Sequence, residues 1–101
     1  MNDLRFQWDE RKNRSNKKKH GVSFEEARTA FLDDNARLID DPDHSEDEAR
    51  FILMGVSELL RVLVVCHCYR ETDEEEDIIR IISARRANDD ERSSYEEQVK
   101  K

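Results

Sequence analysis

Apolar residues recur along this chain with two periods, and the change falls near Asp33. Phe24, Ala27, Ala30 and Phe31 keep helical spacing, so they read as the buried stripe of a helix running from Ser23 to about Leu32. Ser23 and Glu26 form a capping-box pattern at its start. Upstream, Phe6-Gln7-Trp8 is a short extended lead-in, and a polar helix follows from Asp9 to Lys19. His20-Gly21 closes that helix, Gly21 supplying the left-handed conformation of its last turn. After Asp33-Asp34-Asn35 the apolar residues fall into strand-length blocks at Ala36–Ile39, Arg50–Val56, Arg61–Tyr69 and Ile78–Ala84. Asp41-Pro42-Asp43 ends the first block, because proline cannot continue a ladder and aspartate favours turns. The second and third, joined at Ser57–Leu60, should pair as an antiparallel hairpin. Asp89–Lys100, rich in Glu, Arg, Gln and Lys, predicts a terminal helix. The order predicts an α+β fold with two N-terminal helices, a four-stranded, mainly antiparallel meander sheet and a C-terminal helix.

With 101 residues the chain is expected to form a single domain, 1–101. Charged residues make up 43% and apolar ones 36%, near the polar limit for folding, but the apolar residues are gathered in blocks able to share one core. No basic N-terminal region leads into an apolar run, and Phe51–Val56 and Val62–Cys66 are far too short to span a bilayer. A soluble cytoplasmic protein with no membrane partner is expected. Cys66 and Cys68 are two apart on one side of a strand, where a disulfide would distort the backbone. No second Cys or His pair completes a zinc site. Buried thiols are expected, with no metal and no cofactor.

A formal charge of −7 would discourage a polyanionic ligand if it were evenly spread. It is segregated instead. Arg11, Lys12, Arg14, Lys17, Lys18 and Lys19 form an acid-free run, which is either a solvated helix face or a docking face. Glu71, Asp73, Glu74, Glu75, Glu76 and Asp77 form an acidic run, expected as an exposed loop between strands. Ile78–Arg86 then carries Arg80, Arg85 and Arg86 along a core strand and its exit. Guanidinium groups in such places face a phosphate, a carboxylate or water, so a phosphate-bearing ligand is the first expectation. Arg80 alternates with Ile78 and Ile82 on one face. By the same parity Arg70, Arg80 and Arg86 group together and Arg85 does not.

Several blocks resemble one known family. They are Phe6-x-Trp8-Asp9, Asn16-x-x-Lys19-His20-Gly21-Val22-Ser23-Phe24-Glu25-Glu26-Ala27, the Arg50-to-Gly55 strand, Arg61-Val62-Leu63-Val64-Val65, and Arg80-Ile81-Ile82-Ser83-Ala84-Arg85-Arg86-Ala87 with Glu91-Arg92 and Tyr95. In this order, over nearly the whole chain, they resemble BrnT toxins. The resemblance implies a RelE-like fold and a ribonuclease toxin of a bacterial type II toxin–antitoxin system that inhibits translation and growth. It also implies neutralisation by a BrnA-like antitoxin with a ribbon-helix-helix domain. Operator DNA is then contacted only through the antitoxin, and the complex represses its own promoter.

RNA cleavage without a metal needs a base for the ribose 2′-proton, cations for the charge growing on phosphorus and an acid for the leaving oxygen. Arg70, at the end of the third strand, and Arg85-Arg86, at the end of the fourth, are expected to converge as a phosphate clamp if the register suits, with Arg80 extending it. Lys17, Lys18, Lys19 and Arg61 are the expected RNA-binding residues. His67 is the acid–base candidate, with a structural role as its alternative. His20 reads as a helix C-cap and His44 as surface. Lys19, Glu58 and Tyr69 stay open for proton transfer, as relatives with the RelE-like fold use such groups. Trp8 and Tyr95 read as packing residues, with base stacking as the alternative. Two other readings remain: a non-enzymatic, antitoxin-binding co-repressor module, and a degenerate toxin weakened by its acidic loop. Free protein either forms a homodimer through an uncovered sheet edge or waits for the antitoxin to cover it.

Overall fold

Two side-chain caps and one glycine shape the N-terminal helices of the computed structural model, which describes residues 4–40, 49–71 and 77–99. The Asp9 carboxylate accepts from the backbone N–H groups of Arg11 and Lys12 and starts α1 (Glu10–His20). Gly21, at φ 71°, ends α1 by donating its N–H to the Lys17 carbonyl at 2.8 Å. Ser23 Oγ accepts from the Glu26 N–H and starts α2 (Phe24–Thr29), which tightens into a 3-10 turn over Ala30–Leu32. The expected capping box is only half formed. The Glu26 carboxylate accepts from Ser57 and Arg61 instead.

The remaining elements are β1 (Arg5–Gln7), β2 (Arg37–Asp40), β3 (Arg50–Val56), β4 (Val62–Glu71), β5 (Asp77–Arg86) and α3 (Asp89–Val99). The five strands form one sheet in the order β1-β5-β4-β3-β2. β2 to β5 make the expected antiparallel meander. The expected count of four strands is corrected to five, and the sheet is mixed, because β1 pairs parallel to β5 with Arg5 opposite Ile78 and Gln7 opposite Arg80. Three residues are too few to show a period, so it is the open edge of β5 that turns the lead-in into a strand. The Asp41-Pro42-Asp43 turn, His44 and residues 72–76 of the acidic run lie outside the described residues.

One face of the sheet is covered. Val22, Phe24 and Ala27 pack against Leu63, Val65, Ile81 and Ala84, with Phe6, Trp8 and Phe31 closing the sides. Phe6 and Phe31 meet edge-on at 5.2 Å and Trp8 and Phe24 at 6.2 Å, so Trp8 is a packing residue. Gly55 is required by close approach: a Cβ there would lie 2.8 Å from the Ala30 carbonyl oxygen and hold the 3-10 turn off β3.

α1 docks by a different means, since Glu10–His20 contains no apolar side chain and its buried residues are Asn13 and Asn16. The Asn13 amide accepts from Phe24 N–H and donates to Glu25, each at 2.8 Å. Asn16 Nδ2 donates to the carbonyls of Val22 and Ala84 at 2.8 Å, and its Oδ1 accepts from Ala84 N–H at 3.1 Å. β1 covers only Ile78–Arg80 of the β5 edge, so farther along the Asn16 amide supplies the donor and acceptor that another strand would bring. Asn16→Ala strands both backbone groups of Ala84 and should lower stability by about 2–4 kcal/mol in urea unfolding.

Candidate functional site

Alternation along the strands gives the sheet two chemically different faces. Opposite the helices, cross-strand rows place Arg80 beside Cys68 and Arg50, Arg70 beside Ile78, and Arg85 in line with Val64, Met54 and Arg37. Arg5 joins the same side through its pairing with Ile78. Between these cations lies an apolar strip that includes Ile39, Ile52, Met54 and Val64.

A β-bulge decides which arginines share this face. Cys66 pairs with Ser83 but His67 pairs with Ile81, so Ile82 is an extra residue and the alternation along β5 inverts there. Arg80 and Arg85 consequently lie on one face. Arg86, opposite Leu63, belongs to the helix-covered side, where its charge helps to hold the Glu26 carboxyl ionised. The expected convergence of Arg70 with Arg85-Arg86 is corrected as well. Arg70 is opposite Ile78 and Arg85 opposite Val64, which puts them near opposite ends of the β4–β5 pair. The six steps from Val64 to Arg70, at roughly 3.3 Å each, separate them by about 20 Å. In place of one clamp there is a track, with Arg70, Arg80 and Arg50 at one end and Arg85 and Arg37 at the other.

α3 borders the second end. Both Arg85 Nη atoms donate to Glu91, at 2.7 and 2.9 Å, and this contact holds the Glu91 carboxyl below the usual carboxylate range. Glu91 is itself fixed by a capping box with Asn88, each accepting from the other's backbone N–H. Arg37 donates to Ser94 Oγ at 3.2 Å. Tyr95 is buried and donates its hydroxyl to Asp33, which also accepts from the N–H groups of Val56 and Asn35. Burial pushes the Asp33 carboxyl up, but these bonds outweigh it and keep the carboxyl below its ordinary range. Burial and the Asp33 contact both raise the Tyr95 phenol, which therefore stays protonated as the donor. Tyr95 thus pins α3 and is not offered to a base.

Two shallow hollows on this face share Ile52 and Val64. One is bounded by Arg37, Met54 and Glu91, the other by His20, Cys66, Ser83 and Arg85. His20 enters from the last turn of α1, where Lys17, Lys18 and Lys19 are exposed. Arg61 is elsewhere: its guanidinium is clasped by the buried Glu26 carboxylate and donates to the Gly21 carbonyl at 3.1 Å. Burial pushes Glu26 up, yet the bonds from Arg61 and Ser57 prevail and its carboxyl lies below the ordinary range. The pair ties the β3–β4 hairpin to α2, so the structure gives Arg61 a bracing role. His67 is also elsewhere, fully buried against Phe31 on the helix side, with Nδ1 3.2 Å from the Val65 carbonyl and Nε2 3.4 Å from the Tyr69 hydroxyl. Burial outweighs the Val65 contact and lowers its pKa, leaving a neutral packing residue on the face away from the arginines. Among the described residues no three His, Cys, Asp or Glu side chains group as a metal site, and no helix is long and apolar enough to cross a membrane.

An open sheet face walled by arginines, on a small α+β domain, has the build of a polyanion-binding protein. The family model for the ribonuclease toxin BrnT of type II toxin–antitoxin systems matches residues 8–91, and the chain belongs to this family. Its fold is similar to that in the 1.1 Å crystal structure of the Brucella abortus ribonuclease toxin BrnT, with a TM-score of 0.58 and 22% identity over 85% of this chain and 99% of that one. No curated protein sequence matches the chain significantly.

Sequence reasoning passed over Arg37 and Arg50, read His20 as a helix cap alone, and left Glu91 either paired with the arginine cluster or exposed at the helix start; it is paired, with Arg85. The alternation of Arg50 with Ile52 and Met54 and the Asn88-x-x-Glu91 pattern were usable signals; the place of His20 had none. Arg61→Ala leaves a carboxylate that is 5% exposed without its cation and should lower stability by about 2–4 kcal/mol in urea unfolding. His67 has a pKa below its ordinary value in the folded state, so protonation favours the unfolded chain and stability falls as pH drops below 6.5. The unfolding free energy of the wild type should decline between about pH 6.5 and 5, by at most about 1.4 kcal/mol per pH unit for this one group, and His67→Gln should flatten that decline.

Proposed function

We propose that this protein cleaves RNA, without a metal, on the arginine face of its sheet. Arg85 holds the phosphate whose bond is cleaved and Arg80 a neighbouring phosphate, and Arg70, Arg50 and Arg37 extend the track. Lys17, Lys18 and Lys19 border it from α1. The observation that carries this reading is the bulge at Ile82, which brings Arg80 and Arg85 to one face. Guanidinium forks suit phosphate oxygens and stabilise the charge that grows on phosphorus during attack by the 2′-oxygen. Activity of this kind in the cytoplasm stops translation and growth. The partner is a BrnA-like ribbon-helix-helix antitoxin, through which alone the complex meets operator DNA. That antitoxin covers the arginine face or the outer edge of β2, where Leu38 and Ile39 are 52% and 51% exposed; a homodimer would use the same edge.

The Arg85–Glu91 pair favours a second reading, because it shows this face already accepting a carboxylate. In that reading the protein is a co-repressor whose arginines grip an acidic antitoxin segment. Expression of wild type and single variants, with growth, RNA integrity and circular dichroism followed together, separates the two. Arg80→Ala and Arg85→Ala should each relieve growth arrest and slow cleavage by about 10²–10³-fold, whereas Arg86→Ala should remain toxic. Intact RNA and normal growth with folded wild-type protein would leave the co-repressor.

A further inference from the structure

The chain has three histidines, and the structure separates the two it describes. His67 is sealed in the core, while His20 is exposed and lines the hollow that also holds Ser83, Cys66 and Arg85. A C-cap role for His20 is superseded, since it is the Gly21 N–H that closes the helix onto Lys17. Its position is set by the neighbouring anchor: Asn16 and His20 are four residues apart on one helix face, and Asn16 grips Ala84, the residue between Ser83 and Arg85.

We infer that His20 is the base that takes the ribose 2′-proton when RNA lies on the arginine face. The inference rests on the proposed RNA track. The 2′-oxygen forms a bond to phosphorus as its proton passes to an imidazole nitrogen of His20. The bond from phosphorus to the 5′-oxygen breaks, and that oxygen leaves with the electron pair and takes a proton from water. The products are a 2′,3′-cyclic phosphate and a 5′-hydroxyl, and His20 returns its proton to solvent. Arg85, beside it, meets the charge on the phosphoryl oxygens. The polar groups that share this hollow with His20 are Arg85 and Ser83 from β5 and Cys66 from β4; Lys17 and Lys19 belong to the same last turn of α1, and Glu91 from α3 holds Arg85. The Arg85 guanidinium has no acceptor site and the Glu91 carboxylate is engaged with it. The imidazole of His20 brings to this hollow a ring nitrogen whose lone pair can take a proton.

The test uses the purified full-length chain in EDTA, a labelled RNA oligonucleotide, and its uncleavable 2′-O-methyl counterpart for affinity. His20→Ala and His20→Gln should each cleave about 10²–10³-fold more slowly, bind the 2′-O-methyl RNA within about twofold of wild type, and lose the acidic limb of the pH–rate profile. Added imidazole should restore part of the His20→Ala rate. Cleavage within about threefold of wild type, a loss matched by weaker binding, or an acidic limb that persists overturns the inference. An Arg80→Ala/Arg85→Ala variant that binds and cleaves like wild type refutes the arginine track itself, a result distinct from any His20 effect. A folded wild type that does not cleave overturns both.

Discussion

The two-sided hydrogen bond between the Asn16 amide and the backbone of Ala84 is the contact on which this arrangement depends. A helix without an apolar side chain gains nothing by docking through the hydrophobic effect, so α1 would remain in water if polar contacts did not hold it. An exposed β edge, for its part, carries unpaired donors and acceptors that must be met. A carboxamide sets an N–H donor beside a C=O acceptor at the spacing of a peptide group, and its second N–H is met by the Val22 carbonyl, so a single side chain meets both needs. It also holds the last turns of α1 against β5, and with that places His20 in the hollow beside Ser83 and Arg85.

The sheet then separates stability from binding. On the helix side the polar groups are paired and buried: Glu26 with Arg61 and Ser57, and His67 against Phe31. Buried charges persist only when they are compensated, and here the compensation brings distant segments together, α2 to the β3–β4 hairpin. Tyr95 and Asp33 do the same for α3 and the end of the 3-10 turn. On the open side the arginines project from the strands of one paired sheet, Arg80 with a strand on each side of it, so the order in which they lie across the face is set by strand register. Glu91 occupies one of them, so an anion reaching Arg85 would compete with a half-buried carboxylate held at the start of α3.

Much of the fold was legible because its signals are local. Helical spacing of Phe24, Ala27, Ala30 and Phe31, the Gly21 stop, and the blocks at Arg50–Val56 and Ile78–Ala84 depend on neighbours within a few residues. The parallel pairing of β1 was not legible, since it depends on an edge created by residues more than seventy positions away. The arginines of the candidate site were legible as residues and not in arrangement. Parity counting grouped Arg80 with Arg86, because one bulged residue inverts every later side chain.

By itself, the sequence determined the α+β element order, the meander of β2 to β5 and the presence of arginines along a core strand, as each is written in residue periodicity and side-chain type. The tertiary structure alone decided that β1 joins the sheet, that Arg70 and Arg85 stand at opposite ends of one face, that Arg61 and His67 serve the packed layer, and that His20 opens onto the arginines. The physical reason is that strand register, a bulge and an amide bridging 68 positions are long-range choices. They are settled by which donors, acceptors and apolar surfaces remain unmet once the local elements have formed.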